Sequence, residues 1–138
     1  MDDKLVFVVG GPESRGTKGV YAHSLKTGQI VWQIPLPGSV SEPKLTMAVD
    51  EGVIVVVTSA GRVFCIEQAT GRALWEQAVE RVGQSNTMQP IVLVTDGMVL
   101  VGLHGIVSCF DIAGKPVWQS RACWVEAFGI TGKVIDVI

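Results

Sequence analysis

Three stretches decide how this chain folds. They are Val20-Tyr21-Ala22-His23-Ser24-Leu25-Lys26-Thr27-Gly28-Gln29-Ile30-Val31-Trp32, Val63-Phe64-Cys65-Ile66-Glu67-Gln68-Ala69-Thr70-Gly71-Arg72-Ala73-Leu74-Trp75 and Val107-Ser108-Cys109-Phe110-Asp111-Ile112-Ala113-Gly114-Lys115-Pro116-Val117-Trp118. In each, a tryptophan stands four residues after a glycine. Trp32, Trp75 and Trp118 recur every 43 residues, and Gly28, Gly71 and Gly114 recur with them. The third unit is one residue shorter in its turn. A doubled marker at one fixed interval is the mark of an internal repeat.

Each unit reads as two short strands around a polar turn, where glycine takes φ > 0 without strain. A further β-rich run precedes each unit: Leu5 to Val9, Val53 to Thr58 and Met98 to Leu103. Asp50-Glu51-Gly52 and Asp96-Gly97 read as the hairpin turns before the second and third of these. Upstream again stand Leu45 to Val49 and Ile91 to Thr95, each after a proline, Pro43 or Pro90. Four short strands in this span make one propeller blade. The expected fold is therefore all-β: about three four-stranded antiparallel β-propeller blades in a partial ring. The blades are placed at about 1–40, 41–83 and 84–122, with seam strands at about 123–138. One segment pulls the other way. Leu74, Ala78 and Val82 fall at helical spacing in a run of helix formers. The alignment of Trp75 with Trp32 and Trp118 places that run as a fourth strand leading into a loop.

These units resemble the tryptophan-docking repeat of pyrroloquinoline quinone (PQQ) dehydrogenase-like propellers, which runs Ala-x-Asp-x-x-(Thr/Ala)-Gly-x-x-x-Trp. Ala22, Ser24, Thr27, Gly28 and Trp32 fit it with serine for aspartate. Cys65, Glu67, Thr70, Gly71 and Trp75 fit with two replacements, and Cys109, Asp111, Gly114 and Trp118 fit with one deletion. The resemblance implies that each tryptophan packs between neighbouring blades, near the turn of the adjacent repeat. Burying an indole and satisfying its N–H suits that role. It also implies that Asp111 and Glu67 hold their turns through backbone N–H groups. Trp124 is out of phase with the other three. In the dehydrogenases the quinone is held by a vicinal disulfide, a calcium bound by acidic and amide side chains, and a catalytic aspartate. This chain has no adjacent cysteines, and Asn86 is its only asparagine. No catalytic, cofactor or metal residue is carried over, and no cofactor is expected. Family members without the cofactor include outer-membrane assembly propellers and kinase sensor domains.

Three blades do not close a ring, since propellers have about 4–8. Their open faces would be apolar and must be covered. The reading favours self-association, a dimer closing a six-blade ring. Leu5 to Val9 aligns with a second strand. Val125 to Ile130 and Lys133 to Ile138 look like first and second strands, so the tail could complete a partner's first blade by strand exchange. A piece of a longer propeller, or another chain supplying the remaining blades, are the alternatives.

The chain has 138 residues, 48% of them apolar and 17% charged, with a net charge of −2. That balance offers no field for nucleic acid. No stretch is apolar for the roughly 18–20 residues that span a bilayer. The start, Met1-Asp2-Asp3-Lys4, is acidic, and its apolar run is short for a signal core. The expectation is a cytoplasmic chain with no membrane association; a removed leader would make it periplasmic or exported. Cys65, Cys109 and Cys123 form no CxxC pair and read as buried free thiols. His23 and His104 read as hydrogen-bonded structural residues.

Gly11 to Lys18 nearly spells a phosphate loop, but Thr17 and Lys18 are transposed and the loop opens into a strand. It reads instead as a long hairpin loop, whose Glu13, Ser14 and Arg15 are candidate contact residues. Gln84 and Asn86, in the polar connection 82–87, form a second candidate. The expected function is a non-enzymatic scaffold that binds a protein, peptide or small ligand through loops or a central channel. The rivals are a half-ring or fragment of a quinone-dependent enzyme, and a sensor module of a kinase.

Overall fold

The computed structural model describes residues 4–10, 19–36, 45–59, 61–79, 90–103, 105–121, 128–131 and 134–137. Among them every regular element is a strand. The first sheet joins β1 (Leu5–Gly10), β2 (Gly19–Ser24) and β3 (Ile30–Pro35). The second joins β4 (Leu45–Asp50), β5 (Val53–Thr58), β6 (Arg62–Glu67) and β7 (Ala73–Ala78). The third joins β8 (Ile91–Thr95), β9 (Met98–Leu103), β10 (Ile106–Asp111) and β11 (Pro116–Arg121). β12 (Phe128–Thr131) and β13 (Val134–Val137) form a separate antiparallel pair. Within each larger sheet the strands follow chain order and run antiparallel, as in the blades of a β-propeller.

The register repeats with the sequence. Ala22 faces Trp32, Cys65 faces Trp75 and Cys109 faces Trp118, and each pair is followed by a bulge. Leu5 faces Ser24 as Val53 faces Glu67, so β1 stands where β5 stands, as the second strand of its blade. The run 73–82 resolves in favour of the long-range repeat: residues 73–78 form a strand paired to β6, whose ladder outweighs the local helical spacing. Glu51 and Gly52, and Asp96 and Gly97, all have positive φ (51°, 80°, 51° and 74°). That is the conformation of a two-residue hairpin turn matched to strand twist.

The core lies between sheets. β5 is buried on both faces, which its unbroken run of Val and Ile requires. Ile54 and Val56 join Val20, Phe7, Val9 and Trp32 of the first sheet. Val53, Val55 and Val57 join Val94, Val99, Val101 and Phe110 of the third. Successive residues of one strand thus glue it to opposite neighbours, a direct use of the period of two. β3 and β7 alternate exposed and half-buried residues and form the outer margin.

Candidate interaction surfaces

The turns after β2, β6 and β10 share one hydrogen-bond scheme. The N–H groups of Ser24, Glu67 and Asp111 donate to the carbonyls of Gln29, Arg72 and Lys115. Those of Gly28, Gly71 and Gly114 donate back to Ser24, Glu67 and Asp111. Side chains at the motif's acidic position close the turns differently. The Asp111 carboxylate accepts from the N–H of Ala113 at 3.0 Å and of Lys115 at 2.9 Å. The Ser24 hydroxyl accepts from Lys26 and Thr27 N–H. Glu67, a methylene longer, instead accepts the Thr70 hydroxyl, which in turn accepts from Arg72 N–H.

Each of the first two indoles lies on the turn of the next sheet. Trp32 Nε1 donates to the Gln68 carbonyl at 3.0 Å, and Trp75 Nε1 donates to the Ile112 carbonyl at 3.0 Å. A Cβ on Gly71 would stand 2.5 Å from Trp32 Cε3, and one on Gly114 would stand 2.6 Å from Trp75 Cγ. Only glycine leaves room for the ring at these two positions. Trp75 also meets the Phe110 ring at 5.8 Å, and Gln77 Nε2 donates to the Gly114 carbonyl at 2.8 Å. A further tie crosses the same pair of sheets, where the Glu51 carboxylate accepts from Gly97 N–H at 2.9 Å. Trp118 and Gly28 stand apart from this pattern. Trp118 is 43% exposed. Among the described residues no heavy atom comes within 4 Å of a Cβ built on Gly28.

An apolar groove of about 200 Å³ runs between the outer strands of the first two sheets. Ile34, Pro35 and Leu36 form one wall, and β7 from Ala73 to Glu76 forms the other, over Phe64 and Ile66. β7 is the last strand of its sheet, so one edge of its backbone is unpaired within the sheet. Leu74 on that strand is 39% exposed. Arg62 pairs with Glu76 at 3.1 Å and covers the Phe64 ring, an exposed pair of small energetic weight.

Cys65 and Cys109 are free and buried in different sheets. Burial pushes the Cys65 thiol up to about 11, against a small opposing hydrogen bond with the Ile66 backbone. Burial raises Cys109 as well, with the Asp111 carboxylate adding to it. Among the described residues no group of three His, Cys, Asp or Glu side chains could hold a metal ion. His23 Nδ1 lies 3.0 Å from the Gly28 carbonyl oxygen. The contact residues expected from sequence, Glu13, Ser14, Arg15, Gln84 and Asn86, lie outside the described residues, as do His104, Cys123 and Trp124. The groove was not expected. Its walls come from corresponding strands of successive repeats, β3 and β7, but no residue pattern in either marks a groove, apart from the outward position of Leu74.

The family described as outer membrane protein assembly factor BamB matches residues 1–124. BamB of Nitrosomonas eutropha is 34% identical over 92 residues, covering 66% of this chain; the chain spans 21% of that protein's length. Among solved structures, BamB from Moraxella catarrhalis is 22% identical with a TM-score of 0.61, over 86% of this chain and 38% of that one. Quinohemoprotein alcohol dehydrogenase from Comamonas testosteroni is 20% identical with a TM-score of 0.62, over 86% of this chain and 20% of that one. At such identities the two structures show the fold alone, and that fold is the PQQ-like propeller.

The matches overturn the expected cytoplasmic setting. The family and its curated members are named for the outer membrane, which also leaves the expectation of no membrane association without support. The physical reason for the error is local. The short apolar run judged as a failed signal core is β1, whose Phe7 and Val9 pack into the core. Its composition answers to the sheet. No helix of the described residues is long and apolar enough to cross a membrane, which says nothing of strands.

Proposed function

Because this chain belongs to the BamB family of outer membrane protein assembly factors, we propose that it is a non-catalytic propeller scaffold at the outer membrane, and that it binds extended segments of other proteins. The observation that carries the reading is the groove along β7. An unpaired strand edge offers backbone donors and acceptors, and an adjoining apolar trough takes alternate side chains. That pairing is the equipment of β-strand addition, in which the ladder gives affinity and the pockets give specificity. Proteins of the outer membrane that span it as barrels supply suitable segments, since their strands are about ten residues long with apolar residues alternating. Leu74 and Ile34 would meet the apolar side of such a segment, and Glu76 and Arg62 its polar margin.

The test is fluorescence anisotropy with a labelled peptide of that length, alternating valine and tyrosine with threonine and lysine. The wild-type chain is expected to give saturable binding. Leu74→Glu sets a carboxylate against the apolar side of the peptide and is expected to weaken binding at least about tenfold. A scrambled peptide that puts the apolar residues together should bind less well, because only alternation presents them all to one wall. No saturable binding, or binding indifferent to Leu74→Glu, overturns the proposal.

A further inference from the structure

We infer that the groove along β7 selects segments with a lysine or arginine in the row of side chains turned toward it, directly opposite Glu76. This rests on the groove as a seat for extended segments and names the kind of segment it takes. β7 lies in the middle sheet, which is packed on both faces. Val79 N–H donates to the Gly61 carbonyl at 2.6 Å, on the β6 side. Backbone groups alternate in direction along a strand, so those of Glu76 and Ala78 point to the free edge. A segment added antiparallel there exchanges both backbone bonds with Glu76. It sets one side chain beside that carboxylate, with Cα atoms about 5.5 Å apart.

Glu76 is the one charged side chain among the described residues that line the groove. Its carboxylate is held on one side. Oε2 accepts from Arg62 Nη2 at 3.1 Å, while Oε1 has no hydrogen-bond or ion-pair partner among the described residues. The guanidinium is drawn back over β6, 5.0 Å from the centre of the Phe64 ring. The Arg62 side chain is 25% exposed and that of Glu76 is 47% exposed. A segment at the free edge therefore meets the negative charge first. Opposite charges directly across two strands attract, and like charges there repel. The aliphatic stem of a lysine lies along the wall of Ile34 and Leu74 while its ammonium reaches Oε1. In a barrel strand, a cation in the apolar row is costly at the midplane of the membrane and tolerated near its surface. The groove thus reads the end of such a strand and not its middle.

Fluorescence anisotropy with three labelled peptides tests this. Each is about ten residues long and alternates valine with threonine. They differ only at the central position of the valine row, which carries lysine, glutamine or glutamate. All three are expected to bind saturably, lysine most tightly and glutamate least, with the outer two at least about threefold apart. The gap should shrink as salt is raised, as an exposed charge pair requires. Glu76→Gln removes the charge and is expected to bring the ratio of lysine to glutamate affinity to about one or below. Saturable binding with no preference for lysine overturns the inference and leaves the groove reading standing. A preference that survives Glu76→Gln overturns it as well, since another group then supplies the charge. No saturable binding by any of the three overturns the groove reading and this inference with it.

Discussion

Replacing Gly71 by alanine should cost far more than replacing Gly52, although the two glycines share one backbone conformation. At Gly52, φ is 80° and the new methyl enters open space among the described residues, so the cost is the left-handed strain of an L residue, about 1–2 kcal/mol. Part of it is returned through the stiffer unfolded chain. At Gly71, φ is 79° and those contributions are the same. The methyl would in addition stand 2.5 Å from Trp32 Cε3 and 2.7 Å from Cδ2. The indole must lift. Overpacking of this kind costs about 1–3 kcal/mol. Lifting also breaks the 3.0 Å bond from Trp32 Nε1 to the Gln68 carbonyl, worth about 1 kcal/mol. The excess of Gly71→Ala over Gly52→Ala is therefore about 2–4 kcal/mol, a large share of the roughly 5–15 kcal/mol that holds a domain together. Urea denaturation followed by far-ultraviolet circular dichroism measures it. In a Trp32→Ala background the excess should vanish, because the methyl then has nothing to strike. Equal costs for the two glycine variants, or an excess that survives removal of the indole, would refute the reasoning.

Asp111→Ala removes the acceptor for Ala113 and Lys115 N–H and should destabilise by about 2–3 kcal/mol, and Asp111→Asn by less, in the same denaturation assay. Cys65 should resist alkylation in the native state and react fully in urea, which a timed mass measurement resolves. Its thiol is raised in the folded chain from the ordinary 9.0 to about 11, so folding favours the protonated form. The associated stability is whole below about pH 9 and is lost as pH rises toward 11, by roughly 2 kcal/mol. Cys65→Ala should flatten that part of the pH profile.

The strands were legible because the evidence for them was redundant. Trp75 alone could not decide between strand and helix for the run from Ala73, but Trp32 and Trp118 at the same phase could. Val53 to Thr58 was legible as a β-rich run, and the structure adds that it is buried on both faces, which its lack of polar alternation explains. The acceptors of the indole N–H groups were not legible, because Gln68 and Ile112 take part through backbone carbonyls that any residue would supply. The same holds for Glu51, an ordinary turn residue in sequence whose carboxylate reaches the next turn. The groove was hidden for another reason. It arises where Ile34 to Leu36 and Ala73 to Glu76 fail to fill the space between two outer strands, and shortfalls of packing leave no pattern in a sequence. The correction to the expected cytoplasmic setting came from kinship alone, through relatives named for the outer membrane.

That hydrophobic glue lies between the sheets has a consequence for how the protein comes apart. Each blade owes its cohesion to its neighbours, in the manner of coins in a roll, and the balance is a sum over adjacent pairs. The middle blade, clasped on both sides through β5 and β6, should be the last to exchange its amide hydrogens. Damage at the first blade would then peel inward step by step, leaving the pairing of the second and third intact.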